Sequence, residues 1–299
     1  MDTFFSIAEA WLRDVGRTRR PKTVQSYEIA VAKLFECIPA ARERFITRAD
    51  LIKFRDWRTD TTSVSSANRD IKALKAALSW SWLNELGHPP VNLKRLLLQP
   101  PPRKDETLTP EEIERVMKAS EFDVPGRVVL RICYGTGFRL GEVLNLIWSD
   151  VEFDESEISI TPKPWWQPKT DAAIRTVYAP ELTEWLGEYR KTLRHAGVRD
   201  RICQQDEKSG KPWGHRIHER LRRVYERAGI SGKKPTHSLR HTMASDLVQS
   251  GAPIHVAQRH LGHASASVTL AVYAHAKRDG LRQAGAALEE YRRGRQAGD

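Results

Sequence analysis

The chain has 299 residues, 40% of them hydrophobic, so it can form one large domain or two ordinary ones with real hydrophobic cores. A net charge of +11 favours polyanions, of which nucleic acid is the commonest, although a soluble basic surface would explain the charge alone equally well. Three scattered cysteines without a CxxC pair argue against a zinc-cysteine site. The absence of a secretion signal favours reduced thiols in a cytoplasmic protein. No apolar run approaches the ~20 residues that cross a bilayer.

Residues 1–99 are predicted to form an all-helical domain. Two stretches carry apolar residues at helical spacing, namely Tyr27, Val31, Leu34, Phe35 and Ile38, and later Ile71, Leu74, Leu78 and Trp82. On the second helix Arg69, Lys72 and Lys75 lie away from the apolar stripe, where they could contact a DNA backbone. For this stripe alone, a solvated helix face is the simpler interpretation. Residues 1–103 nevertheless hold 18 basic and 11 acidic residues, most of the total surplus.

Residues 100–108 are predicted to form a linker between two domains. Three consecutive prolines, Pro100 to Pro102, exclude helix and favour an extended chain. A new helix is predicted directly after them: Thr109 can cap it, Pro110 suits its first turn, and Glu112 completes a capping box.

Residues 109–299 are predicted to be mainly helical with a small β-sheet. Ile158 and Ile160 alternate with polar residues, and Arg175 to Tyr178 is predicted to form a second strand. Lys169 falls in the connection between these strands. Breaks are expected at Gly210–Gly214, at Gly229–Pro235 and at Gly251–Pro253.

The segment TGFRLGEVL places Arg139 and Glu142 three residues apart at the start of an apolar helix, so both can share one face. Gly135 and Gly137 allow a tight turn before it. The glycine spacing differs from that of a dinucleotide-binding fingerprint, and no parallel-strand pattern surrounds it. An ion pair between Arg139 and Glu142 is expected whether or not Arg139 has a functional role.

The segment HSLRH repeats this spacing with His237 and Arg240 one helical turn apart. His237 and His241 could instead be metal ligands at positions i and i+4. The sequence offers no third acidic or histidine ligand nearby, and Arg240 would lie beside the cation, so a metal site is not predicted.

The segment LGH ends one helix at Gly262, which is expected to adopt a left-handed cap before His263. Tyr273 follows ten residues later in AVYAH. A lone tyrosine on an amphipathic helix is usually a packing residue. Its functional interest comes from the residues that precede it in the chain.

Together these motifs resemble the tyrosine recombinase family, which includes phage integrases and Xer-type recombinases. The residues that carry the resemblance are Arg139, Lys169, His237, Arg240, His263 and Tyr273. Residues 1–99, through TVQSY and SSANRDIKALKAALSWSW, resemble the family's helical core-binding (SAM-like) domain. The resemblance implies an α+β catalytic domain over residues 109–299. Lys163 stays an alternative to Lys169 as the catalytic lysine, because the loop TPKPWWQPKTDAAI is long.

The resemblance implies a site-specific recombinase that cleaves and rejoins DNA through a covalent 3′-phosphotyrosyl intermediate. Tyr273 would be the nucleophile, Arg139 and Arg240 would hold the phosphate, and Glu142 would support Arg139. No metal or nucleotide cofactor is implied. The expected partners are a double-stranded recombination site, three further copies in a tetramer on DNA, and an accessory DNA-bending protein or partner recombinase. The alternatives are a type IB topoisomerase-like relaxing enzyme and a catalytically silent DNA-binding protein.

Beyond Tyr273, one face of a short helix is predicted to be apolar, through Leu281, Ala284, Leu288 and Tyr291. Gly285 beside this stripe weakens the helix. We expect the segment to dock into a neighbouring protomer, although packing within its own chain is nearly as good an interpretation.

Overall fold

A computed structural model describes residues 3–86, 91, 92, 94–101, 106–203, 216–262 and 293. The chain divides into two compact units, Met1–Lys104 and Asp105–Asp299, so the division falls within the predicted linker. Within the described residues, no helix has the length and apolar character that crossing a membrane requires.

The described part of the first unit contains four α-helices, α1 (Phe4–Thr18), α2 (Pro21–Cys37), α3 (Arg48–Thr61) and α4 (Val64–Leu83), with a 3₁₀ turn at Pro39–Arg42 after α2. Capping boxes begin α1 at Thr3 and α3 at Thr47, and the Ser63 side chain caps α4. Each cap satisfies backbone N–H groups that have no partner within the helix.

Both apolar stripes predicted in this unit face its core. The buried members are Val31, Leu34, Phe35, Ile38, Ile71, Leu74 and Leu78, and Tyr27 stacks on Trp11 with ring centroids 4.8 Å apart. Trp82 was expected on the same stripe but is 56% exposed, and Leu83 beside it is 79% exposed. The core-facing stripe of α4 therefore ends before Trp82, although Ser81 beside it is still buried.

The second unit begins with α5 (Pro110–Ser120), α6 (Val124–Thr136) and the single turn α7 (Leu140–Val143). The predicted capping box is confirmed, with Thr109 N–H donating to Glu112 Oε2 at 3.0 Å and Glu112 N–H to Thr109 Oγ1 at 3.3 Å. Residues 106–108 pack with this unit, since Leu108 is buried and its N–H donates to Thr242 Oγ1 at 2.8 Å.

A three-stranded antiparallel sheet follows, formed by β1 (Val151–Glu152), β2 (Glu157–Ile160) and β3 (Arg175–Tyr178) in that order. Both predicted strands are confirmed, whereas the two-residue strand β1 was not predicted. Ile158 pairs with Val177 and Ile160 with Arg175, and all four side chains face the core. The alternation of a strand thus directs one charged residue, Arg175, inward.

The remaining helices are α8 (Pro180–Lys191), α9 (Ile217–Arg227), α10 (Pro235–Gln249) and α11 (Ile254–Leu261). The predicted breaks at Gly229–Pro235 and Gly251–Pro253 separate α9, α10 and α11, whereas Gly210–Gly214 lies outside the described residues. Helix α6 is the most deeply buried, and α10 packs against it. This packing brings the end of α6 and the HSLRH segment of α10 together.

Candidate active site

Arg139 follows a reversal of the chain at the end of α6. Gly137 ends this helix in the left-handed conformation (φ 66°), a shape that favours glycine, and Arg139 then begins α7. The expected ion pair is present, with Arg139 Nη1 2.8 Å from Glu142 Oε1. The Arg139 side chain is 39% exposed, so its guanidinium can still reach a ligand. The helix after it is one turn long, shorter than the apolar stripe suggested.

Arg240 lies on α10 and is buried. Its guanidinium donates hydrogen bonds to the carbonyl oxygens of Gly137 and Leu261. Arg139 Nη2 donates to the neighbouring carbonyl of Gly262 at 3.1 Å. The two arginines, far apart in sequence, are therefore held by adjacent carbonyls at the end of α11, directly before His263.

The third arginine of the cluster, Arg175, was not predicted as a site residue. Its Nη2 lies 3.1 Å from Glu142 Oε2, its Nε donates to the His260 carbonyl at 2.6 Å, and its guanidinium lies 4.6 Å from the centre of the Phe138 ring. Glu142 therefore joins Arg139 to Arg175. The available signal was the inward position of Arg175 in an alternating strand, where a charged residue needs a partner.

The cluster carries more positive than negative charge. Burial opposes ionisation of Glu142, but the charge of Arg175 and the hydrogen bonds donated by Arg139 and Arg175 outweigh it and lower the pKa of Glu142. Burial, reinforced by the charge of Arg139, lowers the pKa of Arg240 to about 9. The described cluster consists of three guanidiniums and one carboxylate, so its net charge is positive. A phosphate group is the ligand that best matches the remaining charge and its donors.

His237 is the third residue of α10, one turn before Arg240, and its side chain is exposed. The adjoining residue Ser238 is fixed by Tyr225, whose hydroxyl lies 2.9 Å from Ser238 Oγ and donates to the Pro235 carbonyl at 2.8 Å. His237 therefore stands at the open edge of a well-anchored helix end, where a proton can be exchanged with a ligand.

The two candidate lysines have different surroundings. Lys163 is buried, with Nζ 2.7 Å from Asp150 Oδ2 and 2.8 Å from both the carbonyl and the hydroxyl oxygen of Thr161. Lys169 is exposed on the connection between β2 and β3. Lys163 is thus committed to a structural ion pair, which favours Lys169 as the lysine that reaches a ligand.

His263 and Tyr273 lie outside the described residues, and so does the predicted stripe of Leu281, Ala284, Leu288 and Tyr291. Gly262, the last described residue before His263, adopts the predicted left-handed cap with φ 63°. In the first unit, Arg69, Lys72 and Lys75 are all exposed on α4, away from the buried stripe.

A third potential metal ligand lies beside His237 and His241 in the fold. No third acidic or histidine residue lies near them along the sequence, but Glu106 comes close from a distant part of the chain. One ligand atom from each of the three residues lies within 4.8 Å of the other two. Glu106 could not be identified from the sequence, because it reaches the two histidines only through packing of the segment before α5 against α10.

Comparison with known proteins identifies the family to which the chain is similar. The model of the phage integrase family matches residues 106–279, more than half of the chain. The chain is 30% identical to a tyrosine recombinase XerD of Neisseria meningitidis over 224 residues, covering 71% of this chain and 72% of the relative. It is 25% identical to XerD of Ralstonia nicotianae over 283 residues, covering 91% and 88%.

Solved structures share the fold. An integrase of the Tn1549 transposon, in complex with transposon right end DNA, has a TM-score of 0.77 at 19% identity and covers 96% of this chain and 100% of that one. A lambda integrase dimer bound to a core site has a TM-score of 0.72 at 18% identity and covers 91% and 77%.

Proposed function

Since this chain belongs to the phage integrase family and is a tyrosine-type site-specific DNA recombinase, we propose that Arg139 and Arg240 hold the scissile phosphate while Tyr273 attacks it. The observation that carries the proposal is the convergence of both guanidiniums on the Leu261 and Gly262 carbonyls. These carbonyls immediately precede the segment that contains His263 and Tyr273.

Attack by Tyr273 requires loss of its phenolic proton. A free tyrosine titrates near pH 10, so at neutral pH only about one phenol in a thousand is ionised, a deficit of roughly 4 kcal/mol. Neutral His237 accepts the proton as the phenol oxygen bonds to phosphorus, which removes the need for a free phenolate. His263 donates a hydrogen bond to the phosphate or positions Tyr273.

Charge accumulates on the non-bridging oxygens when phosphorus becomes pentavalent. Arg139 and Arg240 meet that charge with donors already fixed by Glu142 and by backbone carbonyls. Loss of one such preorganised donor typically costs about 3 kcal/mol, or roughly two orders of magnitude in rate. Arg175 acts as a positioning residue, because its ion pair with Glu142 holds the carboxylate that binds Arg139.

The phosphorus–O5′ bond breaks as the tyrosyl–phosphorus bond forms, and Lys169 donates a proton to the leaving 5′ oxygen. The products are a 3′-phosphotyrosyl bond and a free 5′ hydroxyl. The phosphodiester energy is retained, so a 5′ hydroxyl from another strand can reverse the step and join new partners. These residues complete the reaction without a cofactor.

We propose that the first unit binds DNA through Arg69, Lys72 and Lys75, which lie on the exposed side of α4. We also propose that the protein acts at the nucleoid as a tetramer on two synapsed recombination sites.

The terminal stripe of Leu281, Ala284, Leu288 and Tyr291 would dock into a neighbouring protomer. Deletion from residue 281 onward should then weaken assembly on DNA, whereas unchanged assembly would contradict docking between protomers.

The chemistry can be tested with a nicked suicide DNA whose site has first been selected by binding to the protein. Wild type should form a covalent complex with this DNA, and Tyr273→Phe should not. A complex that persists in the variant would exclude Tyr273 as the nucleophile. Joining of strands from two sites separates recombination from topoisomerase-like relaxation, and absence of any complex would indicate a silent DNA-binding protein.

A further inference from the structure

Glu106, His237 and His241 form a cluster of potential metal ligands at helix α10, and His237 belongs both to this cluster and to the site described above. The two histidines lie one turn apart on α10, and their ring centroids are 4.5 Å apart. Together with one oxygen of Glu106, their ligand atoms all lie within 4.8 Å of one another. The recombination chemistry proposed above uses only His237 of these three.

Two hydrogen bonds made by the residues that follow Glu106 hold its segment against α10 and against the residues just before α10. The N–H of Leu108 donates to Thr242 Oγ1 at 2.8 Å, and Thr242 is the residue after His241. Lys233 Nζ donates to the Thr107 carbonyl at 2.7 Å just before α10 begins. Glu106 is therefore held beside the two histidines by the fold rather than by an accidental surface contact.

One oxygen of the Glu106 carboxylate is buried without a hydrogen bond. This atom, Oε2, is shielded from solvent and has no hydrogen-bond partner within the described ranges. Leaving a carboxylate oxygen in this state is costly unless a cation or a donor satisfies it. The adjacent imidazoles make a metal cation a suitable partner.

We propose that Glu106, His237 and His241 bind a divalent transition-metal ion of the Zn²⁺ class, and that its binding inhibits DNA cleavage. Two imidazoles and one carboxylate are a common zinc ligand set that leaves a fourth position open. In a tetrahedral zinc site the ligand atoms lie about 3.4 Å apart, so the three residues need to close by only about 1.4 Å at most. His237 is exposed and can make that adjustment.

The positive charge of Arg240 does not prevent metal binding at this cluster. Its guanidinium is directed at the carbonyls of Gly137 and Leu261, which compensate part of its charge. Inhibition follows because a metal-bound imidazole nitrogen cannot accept the proton of the attacking tyrosine. The binding part of the proposal stands by itself, whereas the inhibition part rests on the proposed role of His237.

Binding can be measured by calorimetric titration of the full-length protein with Zn²⁺ at pH 7.5. Mg²⁺ is the negative control, because imidazoles do not favour this hard cation. Glu106→Gln and His241→Gln should each lower zinc affinity by at least about tenfold. His195→Gln is the matched control, because His195 is an exposed histidine outside the cluster, and it should leave the affinity unchanged. Thermal melting checks that each variant is folded. Equal zinc affinity in wild type and in both folded cluster variants would overturn the site.

Inhibition is measured in the suicide-DNA assay, with each protein compared with its own metal-free rate. Zinc should inhibit wild type and His195→Gln at the same concentration, and at least about tenfold more should be needed for Glu106→Gln. Zinc that binds at the site without slowing cleavage would overturn the inhibition. A protein that binds zinc at the site yet never cleaves DNA, even without metal, would support the metal site and count against the proposed function.

Discussion

At the scale of the residue, the two lysines between β2 and β3 show how burial separates similar side chains. Lys163 and Asp150 are both almost fully buried, with side-chain exposures of 4% and 2%. Such a pair is costly to break from one side, because the remaining charge stays buried without a partner. Lys169, in contrast, is exposed.

We predict that Lys169→Ala lowers the rate of single-turnover cleavage by about 100-fold or more, because the leaving oxygen loses its proton donor. Its free energy of unfolding should stay near that of wild type. Lys163→Met should instead lower the free energy of unfolding by about 3–5 kcal/mol in urea denaturation. A stable Lys163→Met protein that has lost cleavage would reverse the assignment of the two lysines.

Gly262 offers a second test at this scale. It lies in the left-handed region, and an added Cβ would lie 2.8 Å from Arg175 Nη1 and 3.0 Å from the Ala172 carbonyl oxygen. An alanine here must displace either Arg175 or the carbonyls that hold Arg139 and Arg240. Gly251 is also left-handed (φ 81°), but an added Cβ there would meet no atom of the described residues within 4 Å.

We therefore predict that Gly262→Ala lowers cleavage by about tenfold or more, a loss of roughly 1.4 kcal/mol in transition-state stabilisation. Gly251→Ala should cost about 1 kcal/mol of stability through backbone strain and leave cleavage near wild type. Single-turnover rates and urea denaturation of both variants check this pair. Equal cleavage by the two variants would mean that the carbonyls at the end of α11 do not position the arginines.

At the scale of the element, helix α3 is stabilised at its start by Asp50. This carboxylate accepts hydrogen bonds from the N–H of Thr47 at 2.8 Å and from both terminal nitrogens of Arg44 at 2.7 and 2.8 Å. The hydrogen bond with Arg44 outweighs burial and holds the pKa of Asp50 far below its usual range. An aspartate whose pKa is lowered by folding stabilises the protein above its unfolded pKa, about 3.9, and loses that effect as the pH falls below it.

We predict that Asp50→Asn lowers the free energy of unfolding by about 1–2 kcal/mol at pH 7. The difference from wild type should shrink as the pH falls below about 4, because protonation progressively removes the same interactions from wild type. Urea denaturation across this pH range is the measurement. Asp56→Asn on the same helix is the control, since Asp56 is 57% exposed in its pair with Arg55 and should show no such trend.

At the scale of the whole molecule, the excess of positive charge predicts salt-sensitive DNA binding. Each phosphate contact that is lost reduces the slope of log affinity against log salt by about 0.9. Replacing Arg69, Lys72 and Lys75 by Gln should therefore weaken binding and reduce the slope by about 2.7 if all three contact phosphates. Lys33→Gln is the control, because Lys33 pairs with Glu36 at 2.5 Å on α2. An unchanged slope in the triple variant would mean that these three residues do not contact DNA phosphates.

The sequence by itself determined the family, the mainly helical fold and several element boundaries. Caps, prolines and glycines act within one or two turns of the chain, so Thr109, Gly137 and Gly262 could be interpreted locally. The strands at Ile158 and Arg175 followed from alternation over a few residues. Arg139 and Glu142 were paired correctly because they are only three residues apart.

Only the tertiary structure decided which side chains meet. Packing between segments distant in the chain places Arg175 against Glu142. It also places Arg139 and Arg240 against the end of α11, and Glu106 beside His237. The burial of Lys163 and the exposure of Trp82 depend on it too. Local patterns cannot fix these distances, because they describe each element's own faces and not the angle and register at which α10, α11 and β3 pack together.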